Sequence, residues 1–144
     1  MAARDFIDTN VFIYQLDASD TRKHGIADHL VRESLRTGDG CISAQVAQEC
    51  LNVITSKARV PLGTEQAQAY LDAVLVPLIQ VGTSPELLRR ALDLRARWQF
   101  GFYDALVVAG ALTAGCTRLL TEDLQHGQRV EQLTIVNPFL DTAN

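Results

Sequence analysis

Paired cysteines are missing from this chain. Cys41, Cys50 and Cys116 are odd in number, far apart and set among apolar neighbours, with no C-x-x-C pair and no histidine at zinc-finger spacing. This excludes a disulfide scaffold and a structural zinc site, and leaves reduced core cysteines as the expectation. Long apolar runs are missing too. The longest, Ala105 to Ala114, is broken by Gly110 and Thr113 and falls far short of the roughly 20 residues that span a bilayer. It is expected to be a buried helix. Met1-Ala2-Ala3-Arg4-Asp5 offers no apolar stretch ahead of a small-residue cleavage site, so a cytoplasmic protein without membrane association is expected. Positive charge is also in short supply: 13 basic against 17 acidic side chains give a formal net charge of −4. Bulk attraction to nucleic acid depends on Lys and Arg neutralising phosphates, so any such role has to be local. Short basic groups do occur at Arg22-Lys23-His24, Lys57 with Arg59, Arg89-Arg90, and Arg95 with Arg97. Each taken alone is accounted for as a solvated helix face.

What is present is the make-up of one ordinary domain over residues 1–144, with 47% hydrophobic and 21% charged residues and enough chain to bury a core. Phe6-Ile7 is a short strand ending at the polar trio Asp8-Thr9-Asn10, which caps a helix running from Val11 to Leu16. Ile26, Ala27, Leu30, Val31 and Leu35 recur at helical spacing between Thr21 and Arg36, and Thr37-Gly38-Asp39-Gly40 stops the pattern. Cys41-Ile42-Ser43 is a second strand. The segment after it sets Val46, Ala47, Cys50 and Ile54 on one helical face, with Glu49 at its border. Thr64 to Val76 has helix-forming composition with Thr64 as its cap, and Leu78-Ile79-Gln80-Val81 is strand-like. Ser84 caps a helix with Pro85 at its first position, running to about Trp98. Asp104 opens the apolar helix that Gly115 ends. Arg118 to Thr121 and Thr134-Ile135-Val136 complete the strands. Strands alternating with helices predict an α/β domain with helices on both faces of a mostly parallel sheet of four to five strands. Ligands of such sheets bind beyond the carboxyl ends of the strands, where strand order reverses.

Four acids fall at that edge. Asp8 ends the first strand, Glu49 lies one to two turns into the helix after the second, Asp104 begins the apolar helix, and Asp123 sits just past the Arg118–Thr121 strand. Singly, each has a plain structural account: Asp8 and Asp104 as helix caps, Glu49 as a helix-border acid, Asp123 as a turn acid beside Glu122. Together they would repel one another and take up protons unless a cation intervened. An all-oxygen set open to water suits Mg²⁺, with Mn²⁺ as a substitute, and His24, His29 and His126 are not needed as bases.

The motifs Phe6-Ile7-Asp8-Thr9-Asn10, Ile42 to Glu49, Tyr103-Asp104-Ala105-Leu106 and Leu119-Leu120-Thr121-Glu122-Asp123-Leu124 resemble, in order and approximate spacing, the PIN-domain nucleases. The resemblance covers nearly the whole chain and is strongest to the VapC-type toxins of bacterial toxin-antitoxin pairs. It implies a PIN-like α/β/α fold and a metal-dependent ribonuclease leaving 5′-phosphate and 3′-hydroxyl ends. Asp8, Glu49, Asp104 and Asp123 would be the catalytic, metal-holding acids, with Asp8 and Asp104 as direct ligands and Asn10 and Thr121 as positioning residues. It further implies RNA as substrate, a small antitoxin as partner with its helix in an apolar groove, and a homodimer. Val11-Phe12-Ile13-Tyr14 and Ala67-Tyr70-Leu71-Val74 are candidates for the groove, although the core competes for them. Gln125-His126-Gly127-Gln128 resembles one subgroup of these toxins. Two alternatives remain: a PIN-like scaffold that binds RNA or protein without turnover, and a receiver-like Mg²⁺-binding signalling domain. The receiver lacks support in Thr9-Asn10, which follow Asp8 where adjacent acids would be needed, and in the want of a late strand-end lysine, the only lysines being Lys23 and Lys57.

Overall fold

Asp8 donates its backbone N–H to the Leu120 carbonyl at 3.0 Å, which ties the ends of two strands together at the middle of the sheet. The computed structural model describes residues 3–59 and 61–140. Its strands are β1 (Asp5–Ile7), β2 (Gly40–Ser43), β3 (Ile79–Val81), β4 (Arg118–Leu120), β5 (Arg129–Val130) and β6 (Leu133–Val136). The helices are α1 (Thr9–Leu16), α2 (Thr21–Thr37), α3 (Ala44–Asn52), α4 (Thr64–Tyr70), α5 (Val76–Leu78), α6 (Pro85–Trp98) and α7 (Phe102–Thr113).

The strand order is β3-β2-β1-β4-β6-β5, parallel except where β5 pairs with β6. The chain leaves β1 toward β2 and β3, then crosses to the other side for β4 and β6. The reversal therefore lies between β1 and β4, at the crevice where such sheets bind ligands. This order differs from the 2-1-3-4-5 order of receiver-like domains, which removes that alternative. The sheet has six strands rather than four or five; Arg129–Val130 is too short to carry a strand pattern of its own and forms by pairing with β6.

Helices cover both faces. Phe6 and Ile7, both fully buried, point to opposite sides of β1 because side chains alternate along a strand. On the Phe6 side, α7 approaches so closely that a Cβ on Gly110 would stand 3.3 Å from the Phe6 ring. On the Ile7 side, a Cβ on Gly40 would lie 2.4 Å from the Ser34 Cβ of α2 and 3.1 Å from Ile7 Cδ1. Glycine at these two positions lets each helix lie against the sheet.

Helix ends follow the chemistry of their caps. Ser84 Oγ accepts from Leu87 N–H at 3.1 Å with Pro85 at the first helical position, and Gly115 takes a left-handed φ of 78° beyond α7. Several boundaries differ from expectation. Gly63, not Thr64, occupies the cap position of α4, its N–H donating to Gln66 Oε1 at 3.1 Å. Leu78 belongs to α5, so β3 starts at Ile79. Helix α3 runs on into a π-helical turn, Val53–Lys57. There the hydroxyls of Thr55 and Ser56 donate to the Leu51 and Asn52 carbonyls at 2.6 and 2.5 Å, competing with the regular helical bonds. Among the described residues no helix is long and apolar enough to cross a membrane. Cys41, Cys50 and Cys116 are buried and unbridged.

Candidate active site

Asp8 caps α1 and faces the crevice at once. Its Oδ1 accepts the Thr9 N–H at 2.8 Å and its Oδ2 accepts the Thr121 hydroxyl at 2.8 Å. The cap account and the site account are thus not exclusive. Thr121, fully buried just past β4, is the hub of a chain of bonds. Its Oγ1 also accepts from Asn10 Nδ2 at 3.2 Å and from the Asp123 N–H at 3.1 Å, and Asn10 Nδ2 reaches Asp123 Oδ2 at 3.0 Å. Asp8, Asn10, Thr121 and Asp123 therefore form one connected group, built from the residues that follow the two central strands.

The Asp8 carboxyl is raised from 3.8 to about 6, first by burial and then by the charges of Asp123 and Glu49, against the bonds from Thr121 and Thr9. An opposite charge is what this arrangement lacks.

Asp104 is placed differently from expectation. Gly101 is the cap of α7 and Asp104 stands in its first turn, where the partial positive charge of the helix end favours a carboxylate without a capping bond. Its side chain accepts no hydrogen bond among the described residues, and burial followed by the charge of Asp123 raises its pKa. Glu49 is reached by the Thr9 hydroxyl at 3.4 Å and by Gln45 Nε2, whose amide also approaches the Tyr103 carbonyl at 3.5 Å. Gln45 thus links Glu49 to the first turn of α7. Gln45 carries no motif signal of its own, although its position one helical turn before Glu49 puts the two side by side.

The donor set is all oxygen, with no histidine or cysteine in it, as a hard divalent cation requires. Two further oxygens, Asn10 Oδ1 and Gln45 Oε1, are buried without a hydrogen-bond partner among the described residues and can accept from the water shell of an ion. Among the described residues no three acidic, histidine or cysteine side chains converge tightly enough to grip one ion directly. An all-oxygen set of this kind suits an ion that keeps several waters, as Mg²⁺ does.

The loop carrying Asp123 is anchored from behind. Tyr14 donates its hydroxyl to Glu122 Oε1 at 2.6 Å, and Lys23 Nζ stands 3.0 Å from Glu122 Oε2 and 4.8 Å above the Tyr14 ring. Lys23 is thereby occupied by a structural contact. Arg89, Arg90 and Arg97 have acidic partners within 4.0 Å, whereas Lys57, Arg59 and Arg95 have none among the described residues. The histidines lie outside the group: His24 Nδ1 is 3.0 Å from the Tyr14 carbonyl, and His126 Nδ1 accepts the Asn137 N–H at 3.0 Å. The latter bond, with Gly127 at φ 87° donating to the Ile135 carbonyl at 2.8 Å, gives the Gln125–Gln128 motif a structural account as the turn leading into the β5-β6 pair.

An apolar cavity of about 410 Å³ opens elsewhere, between Ile13 and Leu16 of α1 and Ile54, Ala58 and Leu62, with Arg59 at its edge. Val11 and Phe12, for which the core competes with a groove, are wholly in the core, because they occupy the inward face of α1.

The sequence pattern of the PIN domain matches residues 6–130. The chain superposes on a toxin-antitoxin complex from Klebsiella pneumoniae with a TM-score of 0.66 at 18% identity, covering 93% of this chain and 97% of that one. For VapC20 of Mycobacterium tuberculosis, a sarcin-ricin loop cleaving toxin, the TM-score is 0.64 at 20% identity, covering 83% and 89%. VapBC2 from Rickettsia felis, bound to a DNA fragment from its promoter, gives 0.61 at 19% identity, covering 91% and 96%. No curated protein matches the chain.

Proposed function

Because the chain belongs to the PIN-domain family, we propose that it is a magnesium- or manganese-dependent endoribonuclease, a single domain over residues 1–144 and the toxin of a toxin-antitoxin pair. The observation that carries this is the meeting of acids at the β1-β4 crossover, where Asp8 is pushed up to about 6 by burial and by the charges of Asp123 and Glu49. A site that works against its own charge in this way is poised for a cation.

Asp8 and Asp104 would hold the ion directly, and Glu49 and Asp123 through water. When bound, such an ion offsets phosphate charge and makes adjacent water more acidic. The chain's own groups do the rest. Thr121 and Asn10 hold Asp8 and Asp123 in place, and Gln45 holds Glu49. Glu49 and Asp123 orient the attacking water, whose oxygen forms the new bond to phosphorus as the bond to the 3′ oxygen breaks. The water's proton passes to a carboxylate and the departing oxygen takes up a proton, leaving 5′-phosphate and 3′-hydroxyl ends. Lys57, Arg59 and Arg95 are basic side chains available to steer RNA toward the crevice.

The partner is a small antitoxin whose apolar helix side chains fill the cavity beside Ile13, Leu16, Ile54 and Leu62, a helix-in-groove mode of recognition. Exposed Leu88 and Leu92 on α6 are available to a homodimer.

The test is incubation of the purified protein with RNA in Mg²⁺ or Mn²⁺, in EDTA, and in EDTA followed by excess metal. Cleavage that stops with chelation, returns with metal and leaves 5′-phosphate ends is expected. Cleavage indifferent to EDTA would reject the proposal.

A further inference from the structure

Tyr103 presents 68% of its surface to solvent while standing directly before Asp104 in the first turn of α7. Its ring is held: Phe102 meets it edge to face with centroids 5.5 Å apart and planes at 78°. In front of it lies an open depression of about 460 Å³ lined by Gln48, Glu49, Asn52 and Tyr103, in the range of about 300–1,000 Å³ typical of small-ligand sites. Gln48 and Asn52 are four residues apart on α3, hence on one helical face, and each amide offers both donors and an acceptor. No cation lines the depression, and Glu49 repels an anion there. A neutral, flat group with a hydrogen-bonding edge suits it; a phosphate does not.

We propose that this depression is a nucleobase subsite, in which Tyr103 stacks an unstacked base of single-stranded RNA next to the scissile phosphate while Gln48 and Asn52 contact its edge. The assignment rests on the ribonuclease function proposed above and adds the part of the substrate that is gripped. Recognition of RNA by stacking splayed bases on aromatic rings and hydrogen-bonding their edges is general physical chemistry, and Tyr103 lies on a helix rather than a loose loop, so its ring is presented with little ordering left to do.

The experiment uses Asp8→Asn protein, expected to leave RNA uncut, and single-stranded oligoribonucleotides carrying 2-aminopurine at one position at a time. Binding should quench the fluorescence at one position, and adding Tyr103→Ala should abolish that quenching and weaken binding about tenfold. Tyr103→Phe, which keeps the ring, should restore both. Quenching and affinity unchanged by Tyr103→Ala would overturn the subsite, as would absence of any quenched position. The two proposals fail separately. If protein with an intact Asp8 cleaves RNA and Tyr103→Ala cuts the same sites at the same kcat/KM, only the base subsite falls. If protein with an intact Asp8 and Mg²⁺ cuts no RNA, the ribonuclease function falls and takes the subsite with it.

Discussion

Replacing Asp8 by Asn should make the protein more stable at neutral pH while disabling its site. The rise of the Asp8 carboxyl from 3.8 to about 6 corresponds to about 3 kcal/mol of stability forfeited when the side chain is ionised. Since the folded value lies above the unfolded one, the folded chain binds more protons over this interval. The contribution is whole below about pH 4 and is lost as pH rises through about 6. Asparagine carries no charge to bury, and its amide oxygen still accepts the Thr9 N–H. Something is given up, however. The Thr121 hydroxyl, which already accepts from Asn10 and Asp123, loses the oxygen to which it donates at 2.8 Å, at a cost of about 1 kcal/mol. The net expectation is a gain of about 2 kcal/mol at pH 8, or about 6 °C in Tm, turning into a loss of about 1 kcal/mol at pH 4. Scanning calorimetry of both proteins in EDTA at the two pH values measures this directly. An equal shift at pH 4 and pH 8, or a loss at pH 8, would refute the claim that a buried, repelled carboxylate is held at the β1-β4 crossover.

Gly40→Ala should destabilise by about 2 kcal/mol in urea titration, because its Cβ would stand 2.4 Å from that of Ser34 and α2 would have to move off the sheet; an unaltered midpoint would contradict this. Leu16→Glu puts a charge at the edge of the apolar cavity, and should weaken binding of the proposed small antitoxin at least about tenfold by calorimetry, as for one buried anchor residue. Glu122→Gln removes the charge shared by Tyr14 and Lys23 and should cost no more than about 1 kcal/mol, since that ion pair is partly exposed. Its larger effect should be on RNA cleavage, through the loop that carries Asp123; full activity would show that this anchor is dispensable.

Much of this was legible in the residues, for definite reasons. Asp8, Asn10, Thr121 and Asp123 lie within three residues of the ends of central strands, so placing the strands places them, and the structure links them by hydrogen bonds. Glu49 was harder: its distance from β2 makes its direction depend on helix phase, and its tie to the rest runs through Gln45. Asp104 was placed at the wrong point of its helix because Gly101 is a weak capping signal, while an acid ahead of Ala-Leu-Val-Val is a strong one. The β5 strand, and the capture of Lys23 by Glu122 from a site 99 residues away, are tertiary facts with no local pattern. Tyr103 was visible only as part of a motif; its exposure beside the acids required the three-dimensional structure.

The central claim, that these carboxylates form the working centre of a ribonuclease, is tested most directly by RNA cleavage at fixed Mg²⁺ by the unaltered protein and by Asp8→Asn and Asp104→Asn, each first shown to be folded. Both variants should lose at least about 100-fold in rate, as expected when charge stabilisation is removed from a reaction centre. Undiminished cleavage by either would contradict the assignment of that residue to the site.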